Sequence, residues 1–98
     1  MSTKTLKLLM VLVLISFFTT GCYYCAAKKE MKSAEKLLSE LKKEGGAKLV
    51  PYEYCSAENF LEVSKGEFGD NDFKQAKEFA TRSKSAAETG LTQVKKKK

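Results

Sequence analysis

The sequence predicts an all-α protein: a long first helix and then a hairpin of two helices, behind an N-terminal segment that is cleaved off. Three observations support this. A chain of 98 residues suffices for one small domain, and its 31% charged and 43% hydrophobic residues are an ordinary globular balance. Apolar residues recur at helical spacing in the first and last thirds of the part after residue 22. Gly45-Gly46 and Gly69-Asp70-Asn71 are turn signals between the helical stretches.

The N-terminal segment has the three parts of a secretory signal peptide. Lys4 and Lys7 form a positive start, residues 8–18 are an uncharged run of 11, and Thr19-Thr20-Gly21 is small. Eleven residues span about 16 Å as a helix, roughly half of a bilayer's hydrocarbon core. A permanent transmembrane helix or a buried core helix is therefore a weaker interpretation, and we expect residues 1–21 to be a signal peptide.

The residues at the cleavage point, Phe18-Thr19-Thr20-Gly21-Cys22, resemble the lipobox of bacterial lipoproteins. Gly21 and Cys22 match that motif, while Thr19 stands where Leu is usual. The resemblance implies cleavage between Gly21 and Cys22, a diacylglycerol thioether on Cys22 and an acyl chain on its amino group, with no other cofactor. Tyr23, which is not Asp, implies sorting to the outer membrane of a diderm bacterium, facing the periplasm.

Two further interpretations of the three cysteines stay open. Cys22 and Cys25 are spaced as a C-x-x-C redox pair, which requires that Cys22 escape lipidation. Cys25 and Cys55 are a candidate disulfide in the oxidising envelope, provided that residues 45–54 run back nearly extended; free thiols or an intermolecular bridge are the alternatives. The chain has no His, so no metal site, haem attachment or His-based catalytic pair is expected. We expect no catalytic residues and no enzyme.

The first helix is predicted over residues 23–44, with Gly45-Gly46 as its stop. A connector over 47–55 should be extended around Pro51. A short helix over 56–68 should start at an N-cap on Ser56. The apolar stripe of the first helix consists of Ala27, Met31, Ala34, Leu38 and Leu41. The inner face of the short helix consists of Ala57, Phe60, Leu61, Ser64 and Phe68.

The last helix, over residues 72–94, has the clearest pattern, and Asp70 or Asn71 is its expected cap. Its apolar positions step by 3 and 4 as a heptad seam, and most of them are small. A partner helix could approach this seam closely, so it is a candidate contact surface; packing within the chain is the alternative. The seam residues are Phe73, Ala76, Ala80, Ser83, Ala87, Gly90 and Val94.

Two resemblances cover the part after Cys22. Residues 69–80, GDNDFKQAKEFA, are similar to the turn and second helix of a tetratricopeptide unit. The chain as a whole resembles small helical lipoproteins of unknown function that occur with OmpA-like peptidoglycan-associated lipoproteins. The resemblance lies in the order of its segments: the lipobox, a KKEM–AEKLL helix, PYEYCSAENFLEVSKGEF and DFKQAKEFATRSKSAAE. That second resemblance implies a role in the cell envelope.

The net charge of the part after residue 21 comes from its end. Residues 22–94 hold 12 basic and 12 acidic residues, and residues 95–98 are four lysines. Basic residues are not spread over a face, so no nucleic-acid partner is expected. Lys95, Lys96, Lys97 and Lys98 are a candidate contact for phosphates or cell-wall carboxylates. A solvated basic tail is the alternative.

Lys98 also resembles the terminal lysine by which the Braun-type murein lipoprotein is joined covalently to peptidoglycan, although Gly45-Gly46 and Pro51 interrupt that family's single coiled coil. Residues 22–98 bury a marginal core. The sequence thus predicts a lipid-anchored structural or adaptor protein that contacts another envelope protein or itself. A peptidoglycan tether through the C-terminal lysines and a thiol redox protein are the competing predictions.

Overall fold

The computed structural model describes residues 3–98, and for residues 15–22 it describes the backbone alone. Within the described residues, four helices follow one another: α1 (Thr3–Lys43), α2 (Gly46–Leu49), α3 (Pro51–Gly69) and α4 (Phe73–Lys97). No described residue lies in a β-strand. The predicted all-α class is confirmed, with α1 as the long helix and α3 and α4 as the hairpin.

The three long helices form a bundle in which α4 packs against both α1 and α3. Tyr24 of α1 contacts Phe73 at the start of α4, and Lys97 at the end of α4 contacts Leu49 just after α1. Helix α4 therefore runs parallel to α1 and antiparallel to α3. The molecule is 68 Å long and 25 by 15 Å across, because the N-terminal part of α1 extends beyond the bundle.

The helix predicted over 23–44 is present, but it continues back without interruption to Thr3. Ala27, Ala34 and Leu41 from the predicted stripe are buried, while Met31 and Leu38 are half-buried. One face of the second half of α1 therefore supplies its share of the core, as the spacing of the apolar residues predicts.

The predicted extended connector over 47–55 is wrong, and so is the N-cap at Ser56. Residues 46–49 form the single turn α2, and α3 begins at Pro51. Val50 stands outside both helices at φ −137° and ψ 64°, away from the α region that a following proline disfavours. The fixed φ of proline also suits the first position of a helix, where its missing N–H is not needed.

The turn before α4 depends on Asn71 and Asp72. Asn71 adopts a left-handed φ of 65°, a conformation that Asn tolerates better than most residues. The Asp72 carboxylate accepts a hydrogen bond from the Gln75 backbone N–H at 3.3 Å. Asp72 is thus the N-cap, and the expected cap at Asp70 or Asn71 is corrected by one or two residues.

The heptad seam of α4 is buried inside the chain. Six of its seven residues are buried and Phe73 is half-buried. The suggestion that this seam is a contact surface for a partner is therefore corrected: its small residues let α4 approach α1 and α3. A Cβ added at Gly90 would lie 2.9 Å from Leu41 Cδ2.

Two buried serines join α3 to α4. The Ser64 hydroxyl donates to the Ala76 carbonyl, and the Ser83 hydroxyl donates to the Ala57 carbonyl, both at 2.5 Å. Each serine thereby satisfies its polar group without water. The core is narrow, and small side chains and hydroxyls let the helices approach closely.

Candidate functional site

The two ends of the bundle differ in chemistry. At one end, α1 projects away from the bundle with apolar side chains in contact with solvent. All side chains of residues 3–14 are exposed, and the first buried side chain among those that the structure describes in α1 is Ala27. The large apolar residues of this segment are between 44% and 64% exposed: Leu6, Leu8, Leu9, Met10, Val11, Leu12, Val13 and Leu14. Within residues 3–98, no helix combines the length and apolarity that a membrane crossing needs.

Gly21 and Cys22, the predicted cleavage and lipidation residues, follow this segment. Their backbone belongs to α1, and the side chain of Cys22 lies outside the described part of the structure. The lipid on Cys22 and the Cys22–Cys25 redox pair therefore both stay predictions.

Three aromatic rings close the bundle two residues beyond Cys22. Tyr24 lies 5.3 Å from Phe68 and 5.0 Å from Phe73, measured between ring centroids, and Phe68 lies 5.1 Å from Phe73. The Lys28 ammonium lies over the Tyr24 ring at 5.2 Å. We call Tyr24, Phe68 and Phe73 the aromatic cluster. It joins α1, the end of α3 and the start of α4 at the end of the bundle nearest to Cys22.

Cys25 and Cys55 are not brought together. Both are free thiols and both are exposed. Cys25 adjoins Tyr24, which contacts Phe68, whereas Cys55 precedes Phe68 by thirteen residues of α3, or about 20 Å. A disulfide needs Cα atoms within about 7 Å, so this fold does not form the candidate bridge. The return path that the bridge required is absent because Pro51 starts a helix.

The opposite end of the bundle is basic. Lys98 Nζ lies 2.5 Å from Glu44 Oε2, and Lys97 Nζ donates to the Leu49 carbonyl at 2.7 Å. These contacts place the end of α4 beside residues 42–50, which contribute three more lysines. We call the resulting set of seven lysines the basic end: Lys42, Lys43, Lys48, Lys95, Lys96, Lys97 and Lys98.

The charge of the chain is therefore more polarised than its sequence indicates. Glu44 is the one acid within residues 42–50 and 95–98, against seven lysines. The rest of residues 22–98 holds nine basic and eleven acidic residues. The hydrogen bond and the positive charge of Lys98, with a smaller effect of Lys95, lower the pKa of Glu44 below its usual value of 4.5.

Residues 95–97 are the last turn of α4 and not a separate tail. Sequence reasoning identified residues 95–98 but missed Lys42, Lys43 and Lys48. These three belong to residues 22–94, whose net charge is zero, and only the two reversals of the chain place them beside the C-terminal lysines. The sequence signal for them is that α1 and α4 both end in a run of lysines. It identifies a shared surface only if the two helices are taken to run parallel.

The sides of the bundle carry open grooves between the helices. One groove between α1 and α4 is lined by Glu30, Lys77, Thr81 and Lys84, and Lys84 Nζ lies 3.9 Å from Glu30 Oε2. Across the described residues, no group of three or more His, Cys, Asp or Glu side chains is placed to hold a metal ion.

Comparison with models of protein families, with curated proteins and with solved structures finds no match for this chain. The function is therefore inferred from the residues of the chain and their arrangement.

Proposed function

We propose that the chain is a lipid-anchored, non-enzymatic protein of the bacterial cell envelope that acts as a structural or adaptor module. Acyl chains on Cys22 hold it at the periplasmic face of the outer membrane. The observation that carries the proposal is the separation within α1: residues 3–14 are exposed and eight of them are large and apolar, whereas in residues 23–43 Ala27 is the first buried side chain. Cleavage before Cys22 would remove none of the buried residues that the structure describes.

The anchor and the neighbouring surface suit a membrane interface. Each buried CH₂ of an acyl chain contributes about 0.8 kcal/mol, so two or three chains hold a protein of this size effectively permanently. Tyr24 and Lys28 follow Cys22 along α1 by two and six residues, and the two other rings of the aromatic cluster contact Tyr24. Tyrosine is enriched at the level of lipid headgroups, and a lysine near the membrane surface is attracted by anionic headgroups.

The shape supports a spacer or adaptor. Residues 22–43 of α1 span about 32 Å, and the bundle extends along this length with different chemistry at its two ends. A rigid bundle with a lipid at one end can hold its other end at a fixed distance from a membrane. The sequence lacks His, which supports a non-enzymatic role.

A covalent tether to peptidoglycan through Lys98 is the second candidate. The observation that favours it is that Lys98 lies at the end of the bundle opposite Cys22, where a wall polymer would be met. Lys98 Nζ is bonded to Glu44, and this bond would have to open before the ammonium could react.

The test compares Cys22→Ala with Cys25→Ala in a diderm bacterium grown with labelled palmitate. We expect the wild type and Cys25→Ala to be labelled and recovered with the outer membrane, and Cys22→Ala to be unlabelled and uncleaved. An unlabelled wild type, or label that depends on Cys25, would contradict the proposal.

The second candidate is tested by boiling isolated cell walls in detergent. Complete release of the wild type rules out a covalent tether, and retention that Lys98→Arg abolishes supports one.

A further inference from the structure

We infer that the basic end is a binding surface for an extended polymer that carries repeated carboxylates, such as the peptide-substituted glycan of a bacterial wall. The bundle would then bridge membrane and wall without a covalent bond. The choice of a wall polymer rests on the proposed function, because it requires that the protein face the periplasm. The arrangement of the lysines does not depend on that proposal.

The surface is assembled from three segments of the chain. Lys42 and Lys43 close α1, Lys48 lies in α2, and residues 95–98 close α4. The buried cluster of Leu41, Val50 and Val94 joins these segments, and the contacts of Lys98 with Glu44 and of Lys97 with Leu49 show that they lie side by side. A run of four lysines on one helix end thus becomes a surface of seven.

Most of this charge is free to meet a ligand. Lys42, Lys43, Lys48, Lys95 and Lys96 are exposed, and within residues 3–98 none of their ammonium groups has a hydrogen bond or an ion pair. The two other lysines show what the surface accepts. Lys98 binds the Glu44 carboxylate at 2.5 Å, so a carboxylate is already seated among these lysines.

The composition favours a repeating ligand over a single shaped one. The basic end contains lysine alone, and the single arginine of the chain, Arg82, lies on α4 away from it. A lysine ammonium is a point charge without the planar fork by which arginine recognises one carboxylate or phosphate. Several lysines close together attract anions through their number and not through a fixed geometry. A polymer that contacts many of them at once therefore binds more tightly than a single anion.

The position favours a ligand that is not the anchoring membrane. The basic end lies about 32 Å along α1 from Cys22. The Debye length at physiological salt is about 8 Å, so headgroup charges at the anchor are largely screened at that distance. A polymer on the far side of the bundle lies within reach.

The test is co-sedimentation of the full-length protein, purified in detergent, with isolated peptidoglycan sacculi. The variant Lys42→Gln/Lys43→Gln/Lys48→Gln removes three charges from the basic end and leaves residues 95–98 intact. The matched control Lys29→Gln/Lys32→Gln/Lys74→Gln removes three exposed, unpaired lysines elsewhere in the described chain. We expect the first variant to bind about tenfold more weakly and the control to bind within about twofold of the wild type.

Sacculi whose carboxylates have been amidated should lose binding, and so should native sacculi in 1 M salt. Equal binding by the two triple variants, or undiminished binding to amidated sacculi, would overturn the inference. Binding to phosphatidylglycerol vesicles but not to sacculi would also overturn it, because the surface would then read lipid phosphates. Far-ultraviolet circular dichroism of both variants shows that the helices are intact.

Failure here is distinguishable from failure of the proposed function. Labelled Cys22 without sacculus binding would overturn this inference alone. Sacculus binding by a protein whose Cys22 carries no lipid would overturn the anchor and leave the basic end as a carboxylate-binding surface.

Discussion

The two halves of α1 belong to one continuous helix and meet different surroundings. In residues 3–14, every side chain is exposed, and eight of them are large and apolar. In residues 23–43, a stripe that includes Ala27, Ala34 and Leu41 is buried and the other faces are charged. The second half packs against α4 of the same chain, whereas the side chains of the first half are exposed to solvent.

The contrast shows that helical continuity does not imply a common role. Burial of one Leu, Val or Met side chain is worth about 1.5–3 kcal/mol, a gain that the first half forgoes in water. Its residues suit a hydrocarbon environment, while the second half suits the edge of a small core. Cys22 stands between the two halves, at the point where the chemistry of the helix changes.

The largest expected effect tests this contrast directly with Leu41→Ala and Leu12→Ala. Leu41 is fully buried between Gly46 and Gly90, and its truncation should lower the free energy of unfolding by about 2–5 kcal/mol. Leu12 is 53% exposed, and its truncation should change that free energy by less than about 0.5 kcal/mol. Urea unfolding of the full-length chain in mild detergent, followed by circular dichroism, measures both. Equal losses would show that the first half of α1 belongs to the folded core.

The next effect contrasts a glycine in the core with one on the surface. At Gly90, an added Cβ would lie 2.9 Å from Leu41 Cδ2 and 3.3 Å from Glu53 Cβ, so Gly90→Ala should destabilise the bundle by about 1–3 kcal/mol. At Gly66, the added Cβ would meet nothing within 4 Å, so Gly66→Ala should stabilise α3 by about 0.5–1 kcal/mol. The two unfolding midpoints should therefore move in opposite directions. A stabilising Gly90→Ala would mean that α1 and α4 are not in close contact there.

The smallest effect concerns acid and the link between α1 and α4. The folded pKa of Glu44 is lowered by Lys98, so this carboxylate contributes stability fully above pH 4.5 and loses it as pH falls through the lowered value. In Glu44→Gln, that part of the acid sensitivity should vanish, and salt should matter less to stability near pH 6. The control is Glu62→Gln, an exposed residue of α3 without an ion pair in the described chain. Thermal midpoints between pH 3 and pH 6 measure the difference, and identical acid limbs for Glu44→Gln and the wild type would contradict it.

Local periodicity predicted most of the fold. The steps of 3 and 4 along α4 identified the residues that face inward, and Ala76, Ala80, Ser83 and Ala87 are all buried. Periodicity defines a face but not what covers it. For that reason the sequence left a partner protein and the chain's own α1 and α3 as alternatives for the seam.

Pro51 shows where local rules were insufficient. A proline is compatible both with an extended connector and with the first position of a helix, and it restricts Val50 in either case. The packing of Val50 against the Leu41 and Val94 core places the chain for an immediate return as α3. The same error made a bridge between Cys25 and Cys55 conceivable, because it left residues 45–54 free to run back along α1.

The candidate site was predictable only in part. The chemistry of residues 1–22 is local, and the predictions about it come from the sequence itself. The basic end is not local: Lys42, Lys43 and Lys48 join residues 95–98 because two chain reversals bring the ends of α1 and α4 together. A count of charge along the sequence misses such a cluster, because its members are far apart in the sequence and acidic residues lie between them.

The lipid anchor on Cys22 is tested most directly by the intact mass of the protein extracted from its native membrane, with and without reductant. We predict the mass of a chain that begins at Cys22 and carries a diacylglycerol and an acyl group, with no change on reduction because Cys25 and Cys55 are free thiols. The mass of the uncleaved chain without lipid would contradict this. It would leave residues 3–21 as a permanent part of the protein and Cys22 as an unmodified thiol three residues from Cys25.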